Sequence, residues 1–441
     1  MFLHQRRARV AAASAAVTVL ALTAACSSGG SGGEENTSGE PAGEITVLTW
    51  RTDLVEDGTF DDYVEQFKEK YPDVTDVTIE GLTDYEGEVK TRMNTDEYGD
   101  VLAIPGSVTP DQYAQFFEPL GSQEEMAEKY SWINDKSFEG QSYGIPVVGN
   151  VQGVVYNTRV WEEAGVTQFP TTPEEFLAGL QAIKDGGIEV APLYTNYKDG
   201  WPLSQWDGWL GAVTADPDWK NALVTSDEPW AEGTDYGVVD GLIYDAVAQD
   251  LVEVDPTTTN WEESKRLLGT GEVATMVLGS WAIPQMQAAA QDAGAGAEDI
   301  GYMPVPVQVD GKFHAVAGGD YNLGINVNSD NKVTARAWID WFNEESGYSE
   351  SQVGLSPLKD GTVPEALASF MEQVELLTLN PAPEGEESLF ADIDTASGIV
   401  TTDPKFRQDT IDAARSGAKT KEQIFTELNT AWAEGRAEVG D

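Results

Sequence analysis

Hydrophobic and polar positions along the chain change period often enough to mark its elements. Ile45-Thr-Val-Leu-Thr-Trp50 alternates and is rich in β-formers, which predicts an opening strand. Phe60, Tyr63, Val64 and Phe67 then recur at helical spacing, in a helix that stops before Pro72. Residues 77–80 predict a second strand, 84–95 a second helix, and 99–104 a third strand closed by Pro105-Gly106. Strands alternating with helices imply right-handed crossovers and a mainly parallel sheet.

The same signals continue downstream. Residues 151–156 are strand-like. Thr172 is placed as an N-cap with Pro173 at N1 and Glu175 at N3, ahead of a stripe of Phe176, Leu177, Leu180 and Ile183. Asn260-Trp261 opens a helix carrying Leu267 and Leu268, which Gly269-Thr-Gly271 breaks. Residues 273–278 form a buried strand running into Gly279-Ser280-Trp281. Residues 323–327 predict another strand and 335–342 a helix. A last helix, capped at Thr420-Lys-Glu-Gln423, sets Ile424, Leu428 and Trp432 on one face. No internal repeat is visible.

One stretch breaks this regularity. TNYKDGWPLSQWDGWLG, residues 195–211, sets Trp201, Trp206 and Trp209 among glycine, proline and amides. With Pro202 at N1 of a helix, Leu203, Trp206, Leu210 and Val213 share one stripe, so Trp206 is expected in the core. Trp209 borders that stripe and could face core or ligand. Trp201 precedes the helix, in a turn after Asp199-Gly200, and is expected to face a ligand.

At 441 residues the chain predicts two domains or one large discontinuous one. Its 76 acidic against 26 basic residues, net −50, repel phosphate backbones, so no nucleic-acid partner is expected. That surface suits neutral or cationic solutes, and equally serves as a solvated, salt-tolerant exterior. The single cysteine, Cys26, excludes an intramolecular disulfide. The two histidines, His4 and His314, weigh against His-rich metal sites and Ser–His machinery, and no Gly-x-Ser-x-Gly elbow accompanies His314. Gly269-Thr-Gly271 lacks the Gly-Lys-Ser/Thr of a phosphate loop. Asn94-x-Asp96-x-Tyr98-Gly99 begins like a calcium loop, but Pro105 stands where the bidentate Glu belongs. No catalytic residue, metal or cofactor is therefore expected. A glycosidase carboxylate pair has no diagnostic sequence spacing.

Aromatic residues carry the remaining signal. A pyranose ring offers a face of C–H bonds and a rim of hydroxyls. Tryptophan covers the former, while Asp, Asn, Glu and Arg bond the latter. Trp50, Trp201 and Trp281 each follow a strand or sit in a loop beside polar groups, where ligands of α/β sheets gather.

The N-terminus combines Arg6, Arg7 and Arg9 with an apolar run, 10–22, too short to span a bilayer, followed by Leu22-Thr-Ala-Ala-Cys26. It resembles a bacterial lipoprotein signal: residues 1–25 removed, Cys26 lipidated. Residues 26–43 then read as the lipidated cysteine and a flexible Gly/Ser-rich tether, and 44–441 as the body. The expected location is the outer face of the bacterial cytoplasmic membrane, with the lipid as the only membrane contact.

The body resembles family 1 of the extracellular solute-binding proteins of carbohydrate ABC importers, the group that includes maltose-binding protein. The matching segments are 45–50, 98–104, 143–176, 269–281 and 318–342, in that order. Gly99 replaces the usual proline of the second. The resemblance implies an α/β, two-lobe fold with discontinuous lobes, mainly parallel sheets, hinge strands and a ligand cleft between lobes. It gives lobe 1 as about 44–150 plus 273–325, and lobe 2 as about 151–272 plus 326–441. It implies Trp281 as a stacking residue, Asp320 as a hydroxyl acceptor beside Tyr321, and Trp50, Arg51, Ser107 and Asn150 in the same cleft. A core or turn role competes for Trp50 and Asn150, and a surface ion pair for Arg51. Together with Trp201, these are the expected sugar-binding residues.

The resulting expectation is a non-enzymatic, monomeric receptor that captures a neutral mono- or oligosaccharide and delivers it to a membrane-embedded ABC permease. The alternatives are a receptor for another solute, such as a polyamine or peptide, and a secreted glycoside hydrolase.

Overall fold

The computed structural model describes residues 38–187, 190–383 and 385–440. The expected signal segment, Cys26 and most of the tether lie outside the described residues. Among the described residues no helix is long and apolar enough to cross a membrane.

The first strand, β1 (Gly43–Thr49), pairs in parallel with β2 (Val74–Gly81) and β3 (Val101–Ala103), joined by helices Thr59–Lys70 and Tyr85–Arg92. Phe60, Tyr63 and Phe67 are the buried face of the first helix, as their spacing requires. Beyond β3 the centre of the sheet turns antiparallel. Two long strands, β4 (Ile145–Asn157) and, after β5 (Thr275–Gly279) and β6 (Ile300–Met303), β7 (Lys312–Ile325), run antiparallel to each other and join both halves of the body. The central order is β2-β1-β3-β7-β4-β5; β6 also pairs with β4, and β8 (Val374–Leu377) with β7. The sheet is therefore mixed: parallel in the N-terminal half, antiparallel wherever β4 takes part.

Each long strand changes core midway. Ile145, Val147 and Val148 of β4 and Leu323 and Ile325 of β7 pack with β1–β3. Val151, Val154 and Val155 of β4 and residues 315–317 of β7 pack into the clusters beyond the crossing. The crossover falls where Gly149 faces Gly319 and Asn150 faces Gly318. A third crossing lies beside it, with Gly149 and Leu355 exchanging backbone hydrogen bonds of 2.7 and 2.8 Å.

This packing differs from the expected division into lobes. Residues 275–305 pack beyond the crossing, because β5 and β6 pair with the far half of β4. The helix Lys332–Glu344 packs with β1–β3 through Ala335, Trp338, Ile339, Trp341 and Phe342.

Local signals explain the rest of the scaffold. Thr172 accepts the Glu175 N–H at 3.2 Å, and Glu175 returns a bond to the Thr171 N–H, fixing the start of helix Pro173–Asp185. Asn260 caps helix Trp261–Thr270 through the Glu263 N–H at 2.9 Å. The tryptophan-rich stretch is a 3₁₀ helix, Trp201–Trp209. With three residues per turn, Leu203, Trp206 and Trp209 eclipse on one face. All three are buried, Trp206 at 3% and Trp209 at 1% exposure, which settles Trp209 as core. The Trp209 indole N–H reaches the Gly153 carbonyl of β4 at 3.3 Å. A buried guanidinium holds this helix down: Arg407 donates to the Leu203 carbonyl at 3.0 Å, to Asp207 at 2.6 Å and to Asp240 at 3.0 Å.

Candidate functional site

A cleft of 840 Å³ opens where the long strands cross. Its volume suits a small-molecule ligand, for which sites run to about 300–1,000 Å³. Seven of the eight expected residues line it: Trp50, Arg51, Asn150, Trp201, Trp281, Asp320 and Tyr321. Ser107 does not. It is exposed in the turn after β3 and lies outside the lining, because Pro105-Gly106 ends that strand short of the crossing.

One wall is built of indoles. Trp201 follows Gly200, Trp261 starts its helix, and Trp281 follows β5. Ring centroids lie 4.9 Å apart for Trp201–Trp261 and 5.8 Å for each of the other two pairs. Trp201 is 37% exposed, a large apolar surface left open in an otherwise packed body. Trp261 was expected only as a helix start; its place in the wall comes from the loop folded against it. Gln205 and Gln285 add amide groups to the same wall.

The opposite wall carries Trp50 at the end of β1, with Arg51. Trp50 stacks on Tyr321, and its edge meets Tyr85 at 6.0 Å. Arg51 forms a two-pronged ion pair with Asp53, at 2.8 and 2.7 Å, and donates to the Tyr348 hydroxyl at 3.3 Å and to Gln352. Burial alone would lower the Arg51 pKa, but Asp53 and Tyr348 outweigh it and hold the guanidinium charged. The expected ion pair and the cleft position thus belong to the same side chain. Tyr348, Ser351 and Gln352 come from a short helical turn far along the chain, which no local sequence pattern tied to Trp50.

The floor is the crossing itself. Asp320 accepts from the Asn150 side chain at 3.0 Å and from the Tyr321 N–H at 2.9 Å. Burial pushes the Asp320 carboxyl up to about 6, against the pull of those two donors. Asn150 is buried and also sits 3.4 Å from the Ser280 hydroxyl, which ties the floor to the Trp281 turn.

The carboxylates of the cleft are thus already engaged, Asp53 by Arg51 and Asp320 by Asn150, and each retains lone pairs for hydroxyl donors. Among the described residues no three His, Cys, Asp or Glu side chains cluster to hold a metal ion. A second groove of 670 Å³, between Asn134-Asp135 and Lys220-Asn221, contains no tryptophan and none of the expected residues.

Core clusters on either side of a pair of crossing strands, with an aromatic and polar cleft at the crossing, define a solute-binding architecture. The chain belongs to the bacterial extracellular solute-binding protein family, whose model matches residues 51–348. Its fold is shared with BlMnBP1, a binding protein of an ABC transporter from Bifidobacterium animalis subsp. lactis solved with mannobiose. The two are 37% identical, with a TM-score of 0.82, covering 90% of this chain and 95% of that one. BlMnBP2 of the same organism, described as manno-oligosaccharide specific and solved with mannotriose, gives 37% identity and a TM-score of 0.81 over 90% and 95% of the two chains. The multiple sugar-binding protein of Streptococcus mutans is 23% identical over 297 residues, 65% of this chain and 68% of that protein.

Proposed function

We propose that the protein captures a neutral oligosaccharide of the manno-oligosaccharide class in this cleft and hands it to an ABC permease. The observation that carries the reading is the three-indole wall facing Trp50–Tyr321, with Asp320, Asn150 and Arg51 between them. Indole faces cover the C–H faces of the sugar rings, and the engaged carboxylates and guanidinium accept and donate at their rims. A cationic solute is disfavoured at Asp53, whose charge Arg51 already balances, and it would meet the Arg51 guanidinium itself in the cleft. The 37% identical relatives with mannobiose and mannotriose support the choice of sugar.

The eight expected residues reduce to the seven at the cleft, joined by Trp261, Tyr348 and Gln352. The lobes divide at the crossing: one core from β1–β3 with the helix Lys332–Glu344, the other from β5, β6 and the 3₁₀ helix. Closing the two around the sugar excludes water and strengthens the polar contacts. The protein acts as a monomer on the outer face of the cytoplasmic membrane, anchored through lipidated Cys26; the lipobox-like Leu22–Cys26 run supports this.

A thermal-shift screen against manno-, malto- and chito-oligosaccharides, with spermidine as the cationic control, tests the reading. Stabilisation by mannobiose or mannotriose is expected. Stabilisation by spermidine alone, or release of reducing sugar from the oligosaccharides, would overturn it.

A further inference from the structure

Glu253 is a buried carboxylate outside the cleft, and nothing in the binding reading uses it. It is 6% exposed and accepts from the Thr195 N–H at 2.8 Å and from the Thr195 hydroxyl. Both donors belong to the residue at which the chain leaves the sheet. Leu193 bridges in parallel to Val252, and the Tyr194 N–H bonds the Thr275 carbonyl at 2.9 Å. Beyond Thr195 the chain turns into the cleft.

That turn is fastened at each step. Asn196 sits in the left-handed region at φ 55°, which asparagine tolerates, and its carbonyl accepts the Gly200 N–H at 3.1 Å. The Lys198 N–H bonds the Thr259 hydroxyl at 2.8 Å, and Gln408 bonds the Tyr197 carbonyl at 2.7 Å. Asp199 accepts the Trp261 N–H at 2.8 Å, and its carbonyl accepts the Trp201 N–H at 2.9 Å. One aspartate thereby bonds the backbones of two indoles of the wall, and the segment that places it starts at the Glu253–Thr195 lock.

We propose that Glu253 is a positioning residue for the aromatic wall: by holding Thr195 it sets the 195–200 turn, and through Asp199 fixes Trp201 against Trp261. The inference rests on the binding reading for its effect on affinity, but the arrangement of the indoles is independent of it. Burial pushes the Glu253 carboxyl up to about 7, while the two Thr195 donors and Arg415, 3.4 Å from the Glu253 carbonyl, favour its ionised form. Tyr194 is a further titratable group that interacts with it.

The test is a double-mutant cycle on the full chain, with mannotriose as the titrant and near-ultraviolet circular dichroism of the ligand-free protein as a second readout. Glu253→Gln is expected to weaken mannotriose binding roughly tenfold and to reduce the coupled-indole dichroism. In a Trp201→Ala background it is expected to have no further effect on binding. Thr195→Val is expected to reproduce the loss and Thr195→Ser to restore wild-type behaviour, which a general loss of stability would not do. Additive effects in the cycle, or an unchanged dichroism in Glu253→Gln, would overturn the positioning role. Failure of the wild-type protein to bind mannotriose would instead strike the sugar reading, and the dichroism would still decide the role of Glu253.

Discussion

Trp50 and Tyr321 stack with ring centroids 3.5 Å apart and planes within 10°. No sugar fits between rings so close; the pair is a two-layer platform with Tyr321, 40% exposed, contributing the open surface. Tyr321 achieves this with φ at 50°, a conformation unusual for an aromatic residue, and its N–H is held by Asp320. Trp50→Ala is therefore expected to weaken oligosaccharide binding about tenfold, by removing the support under Tyr321. Titration calorimetry checks this. Equal affinity in the variant would mean that the stack is only core.

Asp320 gives a pH prediction with a definite sign. Burial raises its folded pKa to about 6, above the ordinary aspartate range, so its proton is held more tightly in the folded state. The stability it contributes is present in full below the unfolded pKa and is lost as pH rises through about 6. Asp320→Asn is expected to stabilise the ligand-free protein at pH 8 by up to about 3 kcal/mol, with no gain near pH 3. Urea denaturation at the two pH values measures the difference. The same variant is expected to bind sugar more weakly, trading an acceptor for stability.

Arg407 is the buried charge that secures the 3₁₀ helix. Arg407→Met leaves Asp240 in the interior without its cation, and is expected to cost about 3–5 kcal/mol in chemical denaturation. A loss below about 1 kcal/mol would show that Asp240 takes up a proton and repacks at little cost.

The crossing has its own steric test. A methyl group at Gly149 would overlap the Trp132 ring. Gly149→Ala is expected to destabilise by about 1–3 kcal/mol, and Trp132→Ala in the same chain to recover part of that loss. Thermal melts of the single and double variants decide whether the two are coupled.

Much of this was legible in the sequence wherever the signal was local. The caps at Thr172 and Asn260 and the faces of Phe60–Phe67 follow from spacing and side-chain chemistry alone. Trp209 was undecided because α and 3₁₀ periods put it on different faces; the tighter period buries it. From the sequence only residues 323–327 read as a strand, whereas β7 runs from Lys312 to Ile325; Gly318-Gly319 carry no side chains to extend the alternating pattern backwards. Chain order does not show that the long strands change core in their middle, so the packing of residues 275–305 is not readable from the sequence. Trp261, Tyr348 and Gln352 reach the cleft through tertiary packing, for which no spacing rule exists.

The central claim is that the indole wall binds an oligosaccharide. Calorimetric titration of mannotriose into the wild type and Trp201→Ala tests it most directly. The account predicts saturable micromolar or tighter binding by the wild type, weakened at least about tenfold in the variant. Equal affinity in the two proteins, or no binding by the wild type, would contradict it.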